Sequence, residues 1–222
     1  AEGLAEDVRF YGRWMRDEAE RRIGHLYPKV RAPGGTEHTV IAWIWARTVT
    51  SPNPANPIKV PLVRSWWLSK KKGKEAWVRA TVRDGRVHYE VVNDANGPKG
   101  ADDWTIMHRK GAKAVGDGTP FDYDYVRAEG LKGRIGCHML AVVAERHRGR
   151  VYVSATQEQR DAADVERPSV ENDGMIADNP RWFSPPSYGM TKFSDLFTNR
   201  QLVALMTFSD LVGPVSYTHL TL

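Results

Sequence analysis

Apolar residues recur along the first 23 positions at Leu4, Val8, Tyr11, Met15, Ala19 and Ile23. That spacing lines one face of an α-helix, and Gly24 and Pro28 end it. Arg9, Arg13 and Arg16 fall off this face, where solvent is expected. The period then changes. Residues 39–49 (TVIAWIWARTV) predict a strand, the Pro- and Asn-rich segment 51–57 (SPNPANP) a tight turn, and residues 58–68 a second strand. Two runs at 76–83 and 86–92 flank Asp84-Gly85, which predicts a two-residue hairpin. Residues 93–103 predict a loop and 114–118 (AVGDG) a second compact turn. A strand is expected over 119–127, with Phe121, Tyr123 and Tyr125 on one face. Strands over 135–145 and 150–153 pair across His147-Arg148-Gly149.

A short helix over 157–165, with Thr156 and Gln159 as a capping box, precedes an irregular stretch at 166–190 rich in Pro, Asn and Gly. The last helix begins at Thr198, closed by Gln201, with Phe197 stapled on Leu202. Its expected core face is Leu202, Leu205, Met206, Ser209 and Val212. The fold class is therefore α+β: β-rich hairpins flanked by an N-terminal and a C-terminal helix. The expected organisation is a helix and linker at 1–35, a β-rich region at 36–155, a helical and loop segment at 156–212, and a tail at 213–222.

Composition narrows the class. Of 222 residues, 41% are hydrophobic and 27% charged, which is enough apolar material for a real core. No apolar run approaches the roughly 20 residues that span a bilayer, and no secretory leader opens the chain. A membrane partner is not expected, and the single cysteine, Cys137, fits a reducing cytoplasm. The net charge of +5 is uneven: 12 basic against 6 acidic residues in 64–113, 9 against 7 in 1–63, and 11 against 14 in 114–222. The basic excess centres on Lys70-Lys71-Lys72-Gly73-Lys74 and Arg109-Lys110, a field that attracts polyanions.

Strand, compact turn, strand is how a zinc ribbon presents a ligand pair, and the turns at 51–57 and 114–118 are two such knuckles. Neither carries a thiol. Ser51, Asn56, Ala114 and Asp117 stand where ligands would be. Alanine binds no metal, serine and asparagine bind zinc poorly, and the seven histidines show no ligand spacing, so zinc is not expected. The hairpins are instead expected to be held by packing, with Trp43, Trp45, Trp66 and Trp67 supplying much of the area. Cys137, inside an apolar strand, is expected to be a buried, inert thiol. Ser184-Pro185-Pro186-Ser187-Tyr188 is similar to the Pro-Pro-aromatic loop of amino-methyltransferases. An extra serine displaces the ring, however, and the loop is not read as catalytic. No Gly-x-Gly cradle follows a buried strand, so no cofactor site is expected here. The remaining chemistry is nucleic-acid binding. Arg64, Lys70, Lys71, Lys72, Lys74, Arg109, Lys110 and Lys113, interleaved with Trp66, Trp67, Trp77 and Trp104, supply phosphate contacts and stacking surfaces.

Four stretches carry a family resemblance: 41–49 (IAWIWARTV), 60–74 (VPLVRSWWLSKKKGK), 125–130 (YVRAEG) and 196–205 (LFTNRQLVAL). Together they resemble the zinc-ribbon-containing adenine-specific DNA methylases of bacteria and archaea, in the family's order and across nearly all of 1–212. The resemblance implies a parent DNA adenine N6-methyltransferase that uses S-adenosylmethionine, with a role in restriction-modification. The cofactor-binding half would lie upstream and an Asp-Pro-Pro-Tyr-type catalytic loop downstream. This region is similar to the section between them and matches no catalytic or cofactor motif. It also places the family's cysteines at Ser51, Asn56, Ala114 and Asp117. The expectation is an internal fragment, silent alone, that positions DNA for the remaining methyltransferase domains. The absence of an initiator Met agrees with this. The tail at 213–222 resembles a translated sequencing adapter and is expected to be non-native. The alternative is a stand-alone module that binds nucleic acid or protein without catalysis.

Overall fold

The computed structural model describes residues 2–31, 35–99, 103–147, 149–179 and 181–219. Parts of the expected loops (32–34, 100–102 and Arg148) lie outside these residues, as does the end of the expected tail at 220–222. The architecture is mixed α+β with antiparallel sheets. In chain order the elements begin with α1 (Glu2–Ile23), β1 (Val30–Arg31), β2 (Glu37–His38), β3 (Val40–Thr50) and β4 (Lys59–Pro61). Next come β5 (Trp67–Ser69), β6 (Ala76–Arg83), β7 (Arg86–Val92), β8 (Ala112–Lys113), β9 (Pro120–Phe121) and α2 (Tyr123–Leu131). The chain closes with β10 (Gly136–Arg146), β11 (Gly149–Val153), α3 (Gln157–Asp161) and α4 (Asn199–His219).

These elements gather into two compact units that interleave along the chain. Ala1–Pro28, Gln157–Met175 and Lys192–Leu222 form the helical unit; Lys29–Thr156 and Ile176–Thr191 form the β-rich unit. The segment 156–212 is thus divided between them.

In the β-rich unit, β3 and β10 are the long central pair of an antiparallel sheet ordered β11-β10-β3-β4. Met139 to Ala144 of β10 are buried without interruption, so this strand is covered on both faces. A second sheet runs β5-β6-β7. Its β6–β7 hairpin pairs Arg83 with Arg86, leaving Asp84 (φ 50°) and Gly85 (φ 67°) as the two left-handed turn residues, as predicted. Ala46, Trp66, Val78, Leu140 and Ala141 form the core between the sheets. The Tyr89 hydroxyl lies 3.4 Å from His138 Nδ1, and the Val91 N–H donates to Ser154 Oγ at 2.8 Å. Burial raises the Tyr89 hydroxyl's pKa above the ordinary tyrosine range. Val49, Ile58, Val60, Ala112, Ala114, Phe121 and Val126 make a second cluster beneath the two compact turns.

Three expected elements differ. The strand over 58–68 is two short strands, β4 and β5, in different sheets. Pro61 offers no N–H to the ladder, and Thr105 breaks the run: its hydroxyl accepts from Val63 N at 2.9 Å and donates to the Pro61 carbonyl. The strand over 119–127 gives way after Phe121 to α2. Asp122 caps that helix, its Oδ1 accepting from Tyr125 N at 2.7 Å. A local cap thus overrides the alternation of Phe121, Tyr123 and Tyr125. The helix over 157–165 ends at Asp161.

In the helical unit the stripe on α1 is only partly covered. Ala19 is buried, while Leu4 and Val8 are exposed. Arg21 and Arg22 pair with Glu18 at 2.6 and 2.8 Å near the helix end and hold its carboxyl down to about 2. The capping box of α4 forms as predicted: Thr198 N–H donates to Gln201 Oε1 at 2.8 Å, and Gln201 N–H to Thr198 Oγ1 at 3.3 Å. The buried face differs from the expected one. Arg200, Leu202, Thr207 and Leu211 are inside, whereas Leu205 and Val212 are each 51% exposed and Ser209 is exposed. Arg200, buried on this face, finds its partners in the segment after α1. Its guanidinium donates to the Leu26 carbonyl at 2.8 Å and lies 4.9 Å from the Tyr27 ring centroid. The helix does not break at Gly213 but runs on through Pro214; proline's fixed φ is itself helical and removes one N–H.

Candidate nucleic-acid interface

The lysine run forms the turn between β5 and β6. Its N–H groups are satisfied locally: Lys71 N donates to Ser69 Oγ at 3.3 Å, and Lys74 N to the Lys71 carbonyl at 2.8 Å. Gly73 takes a left-handed φ of 73° there, which only glycine adopts freely. The side chains of Lys70, Lys71, Lys72 and Lys74 are all exposed. Lys70 Nζ stands 5.5 Å from the Trp67 ring centroid, a cation–π contact that steadies one lysine over an indole.

The other predicted cations are more scattered in sequence. Arg64 is exposed, next to a segment fixed by Asp103, which accepts from Ser65 Oγ at 2.8 Å and Trp66 N at 3.1 Å. Lys110 is exposed in the His108–Lys110 turn. The side chain of Arg109 lies outside the described part of the chain.

Beside this turn the β-rich unit opens a cleft of about 560 Å³. Trp66, Trp77 and Trp104 line it with Arg79, Lys99 and Lys113. Two of the three indoles are anchored. Trp66 is buried, and Trp77 Nε1 donates to Asp94 Oδ1 at 3.0 Å. That bond, the largest of several, holds the Asp94 carboxyl below its usual range. The Arg79 guanidinium lies 5.2 Å from the Trp77 ring centroid and pairs with Glu90 at 3.2 Å; Lys113 Nζ lies 5.7 Å from the Trp104 ring centroid. Trp66, Trp77, Trp104 and Lys113 were legible as an aromatic and basic set. Arg79 and Lys99 were not singled out, although Arg79 sits two residues from Trp77, on the same face of β6.

The two compact turns meet. Asp117 Oδ2 accepts from Asn56 Nδ2 at 2.9 Å and from Asn53 Nδ2 at 3.0 Å, while its Oδ1 accepts from Thr119 N at 3.0 Å. The Thr119 N–H first, then the asparagine amides, hold the Asp117 carboxyl below its usual range. Two of the four ligand-like positions, Asn56 and Asp117, are therefore joined directly. Buried Ser51 joins through Asn53, whose N–H donates to Ser51 Oγ at 3.3 Å. Ala114 contributes only its backbone, donating to the Thr119 carbonyl at 2.9 Å. One carboxylate already engaged by amides, a hydroxyl, an amide and a methyl do not make a zinc donor set. Among the described residues no group of three or more His, Cys, Asp or Glu is placed to hold a metal. Asn53 is the member of this clip that sequence reasoning missed; an asparagine inside a Pro-rich turn was its only signal.

Cys137 is half-buried on β10, and burial raises its thiol pKa. The Pro-Pro segment forms a 3₁₀ turn, Pro185–Tyr188, packed against α2. The Tyr188 backbone lies so close to Gly130 that a Cβ there would clash with the Tyr188 carbonyl oxygen, and Arg127 lies 5.8 Å from the Tyr188 ring centroid. No helix among the described residues is long and apolar enough to cross a membrane. Comparison with known protein families, with curated proteins and with solved structures finds no match.

Proposed function

We propose that this chain is a DNA-positioning insert of an S-adenosylmethionine-dependent DNA adenine N6-methyltransferase. In the parent enzyme the methyl group passes to the exocyclic amine of adenine, and other domains supply the cofactor site and the catalytic loop. The residues here hold the phosphate backbone. The observation that carries this reading is the turn bearing Lys70, Lys71, Lys72 and Lys74, all exposed. Four ammonium groups on one short turn neutralise neighbouring phosphates, and such contacts fix orientation without reading sequence. Arg64 and Lys110 add exposed charge to the same unit.

The test is the salt dependence of duplex binding by the full chain. Replacing Lys70, Lys71, Lys72 and Lys74 with alanine is expected to flatten the slope of log K against log salt by up to about 3.6, at roughly 0.9 per phosphate contact. An unchanged slope would refute the lysine turn as the DNA contact. Absence of any DNA binding at low salt would refute the reading as a whole.

A further inference from the structure

The cleft beside the lysine turn differs in chemistry from the turn itself. A duplex phosphate track is met by exposed lysines, whereas this is a recess of about 560 Å³ walled by indoles. That volume falls within the roughly 300–1,000 Å³ of sites that enclose a small ligand. No carboxylate is among its described lining residues, and Arg79, Lys99 and Lys113 are. A positive lining disfavours the quaternary ammonium ligands that aromatic cages otherwise take, and anchored indoles exceed what a bare inorganic anion needs. The ligand that satisfies both features pairs a flat π-surface with a negative charge.

We propose that the cleft takes one unpaired nucleotide of a single-stranded nucleic acid, its base stacked on Trp104 or Trp77 and its phosphate met by Lys99 and Lys113. In a duplex both faces of a base are covered by neighbours, so only an unstacked base offers a free face. Each of the two indoles has a cation near its ring, Arg79 at 5.2 Å and Lys113 at 5.7 Å, within reach of the phosphate that a stacked base brings. The Trp77 Nε1 bond to Asp94 fixes that ring before any ligand arrives, so little ordering cost falls on binding. This rests on the reading that the chain binds nucleic acid, and adds that the segment it holds here is unpaired.

The test uses the full chain with two labelled probes, an oligo-dT of roughly 12 nucleotides, within the range a single-strand fold covers, and a hairpin duplex of mixed sequence. Binding is followed by anisotropy and by tryptophan fluorescence. Oligo-dT is expected to quench the tryptophans. Trp104→Ala should weaken oligo-dT binding roughly five- to a hundred-fold, the span for losing one stacked base, with Trp104→Phe recovering part of it and duplex affinity unmoved. The pair Lys99→Ala, at an exposed site, and Lys113→Ala, at a half-buried one, should lower the single-strand salt slope by about 1.4, at roughly 0.7 per contact. Wild-type oligo-dT binding by the folded Lys99/Lys113 double variant would overturn the proposal. So would competition by free dTMP at the same nucleotide concentration, since the site would then be a mononucleotide site. Duplex binding that depends on the lysine turn without any oligo-dT binding would sink only the cleft. Loss of both would sink the nucleic-acid reading with it.

Discussion

Replacing Asp117 with alanine removes the carboxylate that ties the two compact turns together. Three N–H donors reach it, from Asn53 at 3.0 Å, Asn56 at 2.9 Å and Thr119 at 3.0 Å. A hydrogen bond to a charged group contributes about 1.5–3 kcal/mol when well protected. Asp117 is exposed, so water replaces much of each bond, and the sum discounts to about 1–2 kcal/mol. At about 2–4 °C per kcal/mol for a chain of this size, Tm should fall by about 2–8 °C in thermal denaturation at neutral pH. Asp117→Asn keeps the shape and one acceptor, and should fall between. The pH dependence fixes the mechanism. A carboxyl whose folded pKa lies below its unfolded value stabilises the fold fully above the unfolded value, near 3.9, and loses that contribution as pH falls through the folded one. The advantage of wild type over Asp117→Asn should therefore be constant from neutral pH down to about 5 and shrink below about 4. A difference below about 0.5 kcal/mol, or one equal at pH 3 and pH 7, would refute the clip.

Excess EDTA should leave Tm unchanged, because the clip is made of amides and a carboxylate; a fall in Tm on chelation would show a metal in its place. Leu211 is fully buried on α4, so Leu211→Ala should cost about 2–5 kcal/mol in urea denaturation, whereas Leu205→Ser, at a half-exposed site, should stay within about 0.5 kcal/mol. Gly130→Ala forces a Cβ onto the Tyr188 carbonyl and should destabilise by about 1–3 kcal/mol, while Gly12→Ala, in open space on α1, should stabilise by up to about 1 kcal/mol.

Features governed by neighbours in the chain were legible in the sequence. The Asp84-Gly85 hairpin needs two left-handed residues and has them. The Thr198/Gln201 box needs an acceptor on each side of one helical turn and has them. The boundaries of α1, β3 and the β6–β7 hairpin follow largely from period and punctuation, because side-chain spacing alone distinguishes 3.6 from 2.0 residues per repeat. Exposure of the lysine run followed from desolvation cost, since four ammonium groups cannot be buried without partners.

Tertiary structure decided the rest, because each outcome turned on a partner remote in sequence. Thr105 cut the run at 58–68 into two strands across more than forty residues. Arg200 is buried on α4 with its partners at Leu26 and Tyr27, and the face it shares has Leu211 inside and Leu205 outside. Asn53 and Asn56 met Asp117 only when two distant turns closed on one cluster. The cleft arose the same way: the tryptophans were legible as an aromatic set, but they became the walls of one recess only once Trp66, Trp77 and Trp104 converged from three separate segments. Periodicity reports which residues share a face. It carries no information about what that face will meet, and the energies that select the partner are contact energies of the folded chain.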